Sequence, residues 1–171
     1  MVILTFTNSE AGLTLIETLI YIAFFAFLIG SLLGITFQTI AATDQVNKKI
    51  VLLQESNFIL GKLDWALIGA QTITVPVLNS SGSELKLNQY AGPNNPIDFT
   101  LSGGYINLSL AGSAVGPAAQ LNSQNVIVSN FVVITSQVVG QPEEVQTSFT
   151  LTYYNDPTNS QTFQLVKYLK Q

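Results

Sequence analysis

A chain of 171 residues with ten acidic side chains, six lysines, no arginine and a net charge of −4 has no basic patch for phosphate, which excludes nucleic-acid binding by electrostatics. His and Cys are both absent, so imidazole bases, thiol nucleophiles, soft-metal sites and disulfides are excluded as well. Only 9% of the residues are charged, and their uneven distribution defines the elements.

Between residues 11 and 42 the only charge is Glu17. The apolar core of this run, residues 13–37, is long enough to cross a bilayer as one helix, for which roughly 20 residues suffice. An ionised side chain in such a segment costs about 2.5–3.5 kcal/mol at the helix centre and less near an end, so Glu17 needs a partner. Its place near the helix start also suits the helix dipole. Gly30 and Gly34 form a small-xxx-small pair, a feature for close helix packing or for local loosening of the helix.

From Gln38 the chain turns polar, and its first proline is Pro76. Residues 13–71 are therefore expected to form one continuous helix, roughly 90 Å long at about 1.5 Å per residue. In its second half, Ile50, Leu53, Leu60, Leu63 and Leu67 recur at helical spacing and predict the stripe that packs on a sheet. Phe58, Ile59, Trp65 and Ile68 fall off that stripe, suited either to an intramolecular core or to neighbouring subunits.

Beyond Gln71 the hydrophobic period changes to two. The clearest unit is Ile97-Asp98-Phe99-Thr100-Leu101-Ser102, then Gly103-Gly104, then Tyr105-Ile106-Asn107-Leu108-Ser109-Leu110. A two-residue Gly-Gly turn pairs Leu101 with Ile106, Phe99 with Leu108 and Ile97 with Leu110, which places all six apolar side chains on one face. Further strands are expected at 73–78, 84–87, 126–135, 145–154 and 162–169. Turns are expected at 79–82, 92–96, 140–142 and 155–157, and a surface loop at 111–125. The expected fold class is α+β: a long N-terminal α-helix packed on a C-terminal antiparallel β-sheet.

The run Gly12-Leu13-Thr14-Leu15-Ile16-Glu17-Thr18-Leu19-Ile20 and the apolar stretch after it resemble the N-terminal motif of the type IV pilin superfamily: pilins, minor pilins and the pseudopilins of type II secretion. The resemblance covers Gly12 to about Phe37 and implies a pilin-like fold. It also implies cleavage between Gly12 and Leu13 by a membrane prepilin peptidase, N-methylation of Leu13, and a filament-assembly role for Glu17 as the contact for the α-amino group of a neighbouring subunit. The organisation that follows is a leader at 1–12, a transmembrane and filament-core helix at 13–37, an amphipathic helix at 38–71 and a β-sheet head at 72–171.

Further partners implied are other pilin or pseudopilin subunits and an assembly platform protein. The implied location is the cytoplasmic membrane, single-pass with the C-terminal domain outside, and then the pilus or pseudopilus at the cell surface. Residues 1–12 carry Glu10 and no Lys or Arg, whereas family leaders are basic. Counting positive charges alone would keep the C-terminal part inside; a basic stretch upstream of Met1 would reconcile the two.

No enzyme is expected, and no cofactor. Glu143-Glu144 is the only adjacent acid pair and falls in an expected hairpin loop, where carboxylates are usually solvated. Residues 155–159 offer oxygen ligands, and some pseudopilins bind calcium, but one carboxylate, Asp156, is few for an ion that takes about 6–8 oxygens. No metal site is expected there. The alternative function is a membrane-anchored adhesin or carbohydrate-binding module using Tyr90, Tyr105, Tyr153, Tyr154 and Tyr168, outside any filament.

Overall fold

The computed structural model describes residues 14–90, 94–110 and 118–169. One long helix and two antiparallel sheets give an α+β fold. The chain divides into two compact units, Met1–Gln45 and Val46–Gln171, and the boundary falls within helix α1 (Leu15–Ile68).

In the first unit α1 accounts for the described structure after Thr14. Thr14 caps it: its carbonyl accepts the Thr18 N–H at 3.1 Å and its hydroxyl accepts the Glu17 N–H at 3.4 Å. Large apolar side chains from Leu15 to Ile40 stand exposed around the helix. The hydroxyls of Ser31, Thr36, Thr39 and Thr43 donate back to carbonyls three or four residues earlier, at 2.8–2.9 Å. Each thereby satisfies its own donor without water, as hydrocarbon surroundings would demand. α1 is long and apolar enough to cross a membrane.

In the second unit α1 ends at Ile68, three residues before the expected end, and the chain enters β1 (Ala70–Val75). Gln89 explains the stop. Its side-chain amide donates to the Ala66 carbonyl at 3.3 Å, satisfying a group that the helix end leaves open. A Cβ on Gly69 would lie 2.9 Å from that amide nitrogen, so glycine permits the approach.

The remaining strands are β2 (Ser81–Gly82), β3 (Glu84–Gln89), β4 (Ile97–Ser102), β5 (Tyr105–Leu110), β6 (Ala119–Gln120), β7 (Val126–Ser136), β8 (Glu144–Tyr153) and β9 (Asp156–Tyr168). They form two sheets rather than one, ordered β1-β3-β4-β5-β6 and β2-β7-β8-β9. The β4–β5 hairpin has the expected register, with Leu101 opposite Ile106, Phe99 opposite Leu108 and Ile97 opposite Leu110. Gly103 and Gly104 hold φ of 61° and 82°, the left-handed pair that a two-residue hairpin turn requires.

A single core joins the helix to both sheets. Leu52, Ile59, Leu63 and Leu67 of α1 meet Leu85, Phe99 and Ile106 of the first sheet and Phe131, Val133 and Phe149 of the second. The helix face differs from the expected stripe. Ile59, assigned off the stripe, is fully buried, while Ile50 and Leu53 are each 44% exposed. Apolar residues surround this half of the helix, so their spacing leaves its rotation open; the sheets select the side carrying the small residues Ser56 and Ala66, where backbones can approach.

Three expected loops also contain paired strand. Ser81–Gly82 pairs with β7, and β9 begins at Asp156, inside the expected 155–157 turn. Of the expected loop at 111–125, residues 111–117 lie outside the described residues. Ala119–Gln120 pairs with β5, while Leu121 and Asn122 are buried. Asn122 makes that burial possible: its Oδ1 accepts the Ile106 N–H at 3.0 Å, and its Nδ2 donates to the carbonyls of Val126 at 2.7 Å and Gly104 at 3.2 Å. The Gly140 turn forms as expected, with Gln141 N–H on the Val138 carbonyl at 2.9 Å.

Candidate functional site

Of the residues singled out at the N-terminus, Gly12 and Leu13 lie outside the described residues. Glu17 occupies the third position of α1, counted from Thr14 as cap, so its backbone N–H is held by Thr14 and its carboxylate sits at the positive end of the helix dipole. The Tyr21 hydroxyl donates to Glu17 Oε1 at 3.2 Å. The sequence reading missed Tyr21, although its spacing of four residues, one helical turn on the same face, was there to be read. Gly30 and Gly34 sit within unbroken α1, and a Cβ on either would meet nothing within 4 Å. Glycine there leaves two shallow places on an exposed apolar helix.

In the second unit, ion pairs tie α1 to β9. Lys48 Nζ lies 3.0 Å from Asp156 Oδ2, with both side chains 18% exposed, and 5.9 Å from the Tyr153 ring centroid. Lys167 Nζ lies 2.6 Å from Asp64 Oδ1. The carboxylate considered for calcium is therefore engaged by an ammonium, with further donors in the Thr158 hydroxyl at 2.5 Å and the Asn159 amide at 2.8 Å. These bonds, the Thr158 hydroxyl foremost and then Lys48, hold the Asp156 carboxyl well below the usual carboxylate range. A depressed folded-state pKa gives stability that is full above the unfolded value of about 3.9 and is lost as pH falls further. Asp156→Asn should thus lower the thermal midpoint of the full chain in detergent at pH 7, and its deficit against the parent should shrink below about pH 4. An equal deficit at both pH values would deny the charge its part.

The sequence reading also missed a pair of acids that strand register brings together. On β3 and β4, Lys86 stands opposite Asp98, with Nζ 3.8 Å from Asp98 Oδ2 and 4.0 Å from Glu84 Oε1. Asp98 Oδ1 is buried without a hydrogen-bond partner. Burial first, and then Glu84, push the Asp98 carboxyl up despite Lys86. Here the sign is reversed: ionised Asp98 costs stability at neutral pH, and the cost disappears as pH falls to the unfolded carboxylate range. Asp98→Asn should raise the thermal midpoint at pH 7 and confer no gain below about pH 4. A lower midpoint at pH 7 would mean that Lys86 outweighs burial.

Glu143 precedes β8 and Glu144 opens it, and both are half-buried. Burial raises the Glu143 carboxyl, and the Glu143 carbonyl accepts the Leu169 N–H at 2.8 Å, an edge contact between strands. The five tyrosines do not assemble into one platform. Tyr90 follows β3, Tyr105 begins β5, Tyr153 ends β8 beside Lys48, Tyr154 lies in the turn before β9, and Tyr168 closes β9. Among the described residues, no group of three or more acids is placed to hold a metal ion.

Comparison with family models, with curated proteins and with solved structures gave no match to this chain.

Proposed function

We propose that the chain is a type IV pilin-like structural subunit, a minor pilin or a pseudopilin, that waits in the membrane and then enters or primes a filament. The filament would serve adhesion, motility, DNA uptake or secretion, and the chain itself would perform no catalysis. The observation that carries this reading is Glu17: the single charge in the exposed apolar stretch of α1, three residues from the cap of the helix and five from Gly12. A membrane anchor needs no carboxylate there, and an insertion cost retained in the sequence argues for a use outside the lone subunit.

In this reading, a prepilin peptidase cleaves after Gly12 and Leu13 is methylated. The second unit lies outside the cytoplasmic membrane, and the partners are other subunits of the filament and its assembly platform protein. Two features of the second unit suit a structural role. Its helix is fastened to the second sheet by Lys48–Asp156 and Lys167–Asp64, and its core is continuous across helix and sheets.

Mass spectrometry of the chain purified from its own host tests the reading. A mature form beginning at methylated Leu13 is the expected result. Full-length chain in cells whose prepilin peptidase is active would overturn it.

A further inference from the structure

We propose that Tyr21 is a positioning residue for Glu17: its hydroxyl holds the carboxylate in the unassembled subunit and leaves the second carboxylate oxygen for a cation supplied by a neighbouring chain. The inference rests on the filament-subunit reading above and adds to it a residue and an order of events.

Two polar groups in this apolar stretch would each be costly alone. Tyr21 opens a run whose other aromatics are Phe24, Phe25 and Phe27, so its hydroxyl is the odd group in a lipid-compatible sequence. Placing a hydroxyl in hydrocarbon without a partner is unfavourable, and placing a carboxylate there is more so. The geometry offsets both at once, through one hydrogen bond of 3.2 Å across one helical turn.

Of the neighbouring hydroxyls, Thr18 Oγ1 donates to the Leu15 carbonyl at 2.8 Å, and Thr14 Oγ1 accepts the Glu17 N–H at 3.4 Å. Tyr21 is the side-chain donor that reaches the carboxylate among the described residues. A carboxylate accepts at both oxygens, and Tyr21 occupies Oε1, so among the described residues Oε2 stays open to a cationic group. Where water is excluded, the phenol bond is not exchanged for bonds to solvent, and the side chain is held before its partner arrives. The incoming chain then loses less conformational freedom on binding, which favours assembly without changing the final ionic contact.

The test uses the full chain in lipid bilayers with 13C-labelled glutamate carboxyls, observed by solid-state NMR, with Glu17→Gln to assign the Glu17 signal. Tyr21→Phe removes the hydroxyl and keeps the ring. The Glu17 signal should move by more than its linewidth; a signal that stays in place overturns the proposal.

The second measurement is the share of processed chain recovered in sheared filaments. Tyr21→Phe should lower it by up to about tenfold when Glu17 is present, the cost of immobilising one flexible side chain, and should add nothing in a Glu17→Ala background, where no acceptor remains. Equal losses in both backgrounds would mean that Tyr21 acts independently of Glu17 and would also overturn the proposal. Wild-type recovery of Glu17→Gln would show that the carboxylate has no role in assembly and would overturn the positioning role. Failure of the subunit reading is told apart by absence of the processed wild-type chain from the filaments, whether or not the carboxyl signal moves in Tyr21→Phe.

Discussion

Glu17→Ala should leave the chain fully inserted in the membrane and reduce its recovery in filaments by about a hundredfold or more. Both halves of this result follow from one substitution in one solvent. Insertion improves or stays level because the variant removes the only charge between Leu15 and Thr43, whose cost is about 2.5–3.5 kcal/mol at a helix centre and smaller near an end. Assembly suffers because a cation brought beside this position would lose its counter-charge in low dielectric. Removing one partner of a buried pair costs about 3–5 kcal/mol, or more than a hundredfold in an equilibrium.

Glu17→Gln separates charge from shape, since it keeps the length of the side chain and an acceptor for Tyr21. It should follow Glu17→Ala in the filament assay. Normal recovery of both variants, alongside normal membrane retention, would show that the carboxylate has no role in assembly.

The second large effect concerns the rotation of α1 in the second unit. Ile59→Ala should destabilise the full chain in detergent by about 2–5 kcal/mol, whereas Leu53→Ala, six residues earlier, should cost less than about 1 kcal/mol. Ile59 has no exposed surface and lies in the cluster shared with both sheets, so truncation leaves a cavity that the sheets cannot fully close. Leu53 is 44% exposed and already meets solvent. Chemical denaturation monitored through Trp65, which lies in the same helix, gives both values. Comparable losses would mean that the helix turns a different face to the core.

These two residues also show where sequence reasoning lost its hold. For residues 97–110 the period-two pattern, the Gly-Gly turn and the register agree, because only one alignment places six apolar side chains on one face. α1 offers no such constraint from Ile50 to Ile68, where apolar residues point in every direction. β7 is a second case. Val126 and Val128 face inward, but so do Phe131, Val133 and Thr135, because the register shifts between Ser129 and Val132. Asn130 takes φ of 52° at that bulge, a conformation that Asn tolerates, and the inward parity changes. In a run as uniformly apolar as Phe131 to Ile134, no periodicity marks the change.

The candidate site divides along the same line. Glu17 was legible as a charge in the wrong solvent, and Tyr21 escaped notice because an uncharged aromatic residue in a Phe-rich run looks like more of the same. Asp98 and Glu84 are fourteen residues apart and become neighbours only through β3–β4 pairing. Asp156 was legible as an acid near a turn, but its engagement by Lys48 depends on β9 running beside α1.

By itself the sequence determined the α+β class, the long helix, the β4–β5 hairpin and the apolar stretch with its one carboxylate, because each rests on a local pattern with a single physical solution. The tertiary structure decided which face of α1 is buried, that the strands form two sheets, and which charges meet. Those outcomes depend on groups distant in the chain, whose contacts exist only once backbone hydrogen bonding has fixed the register.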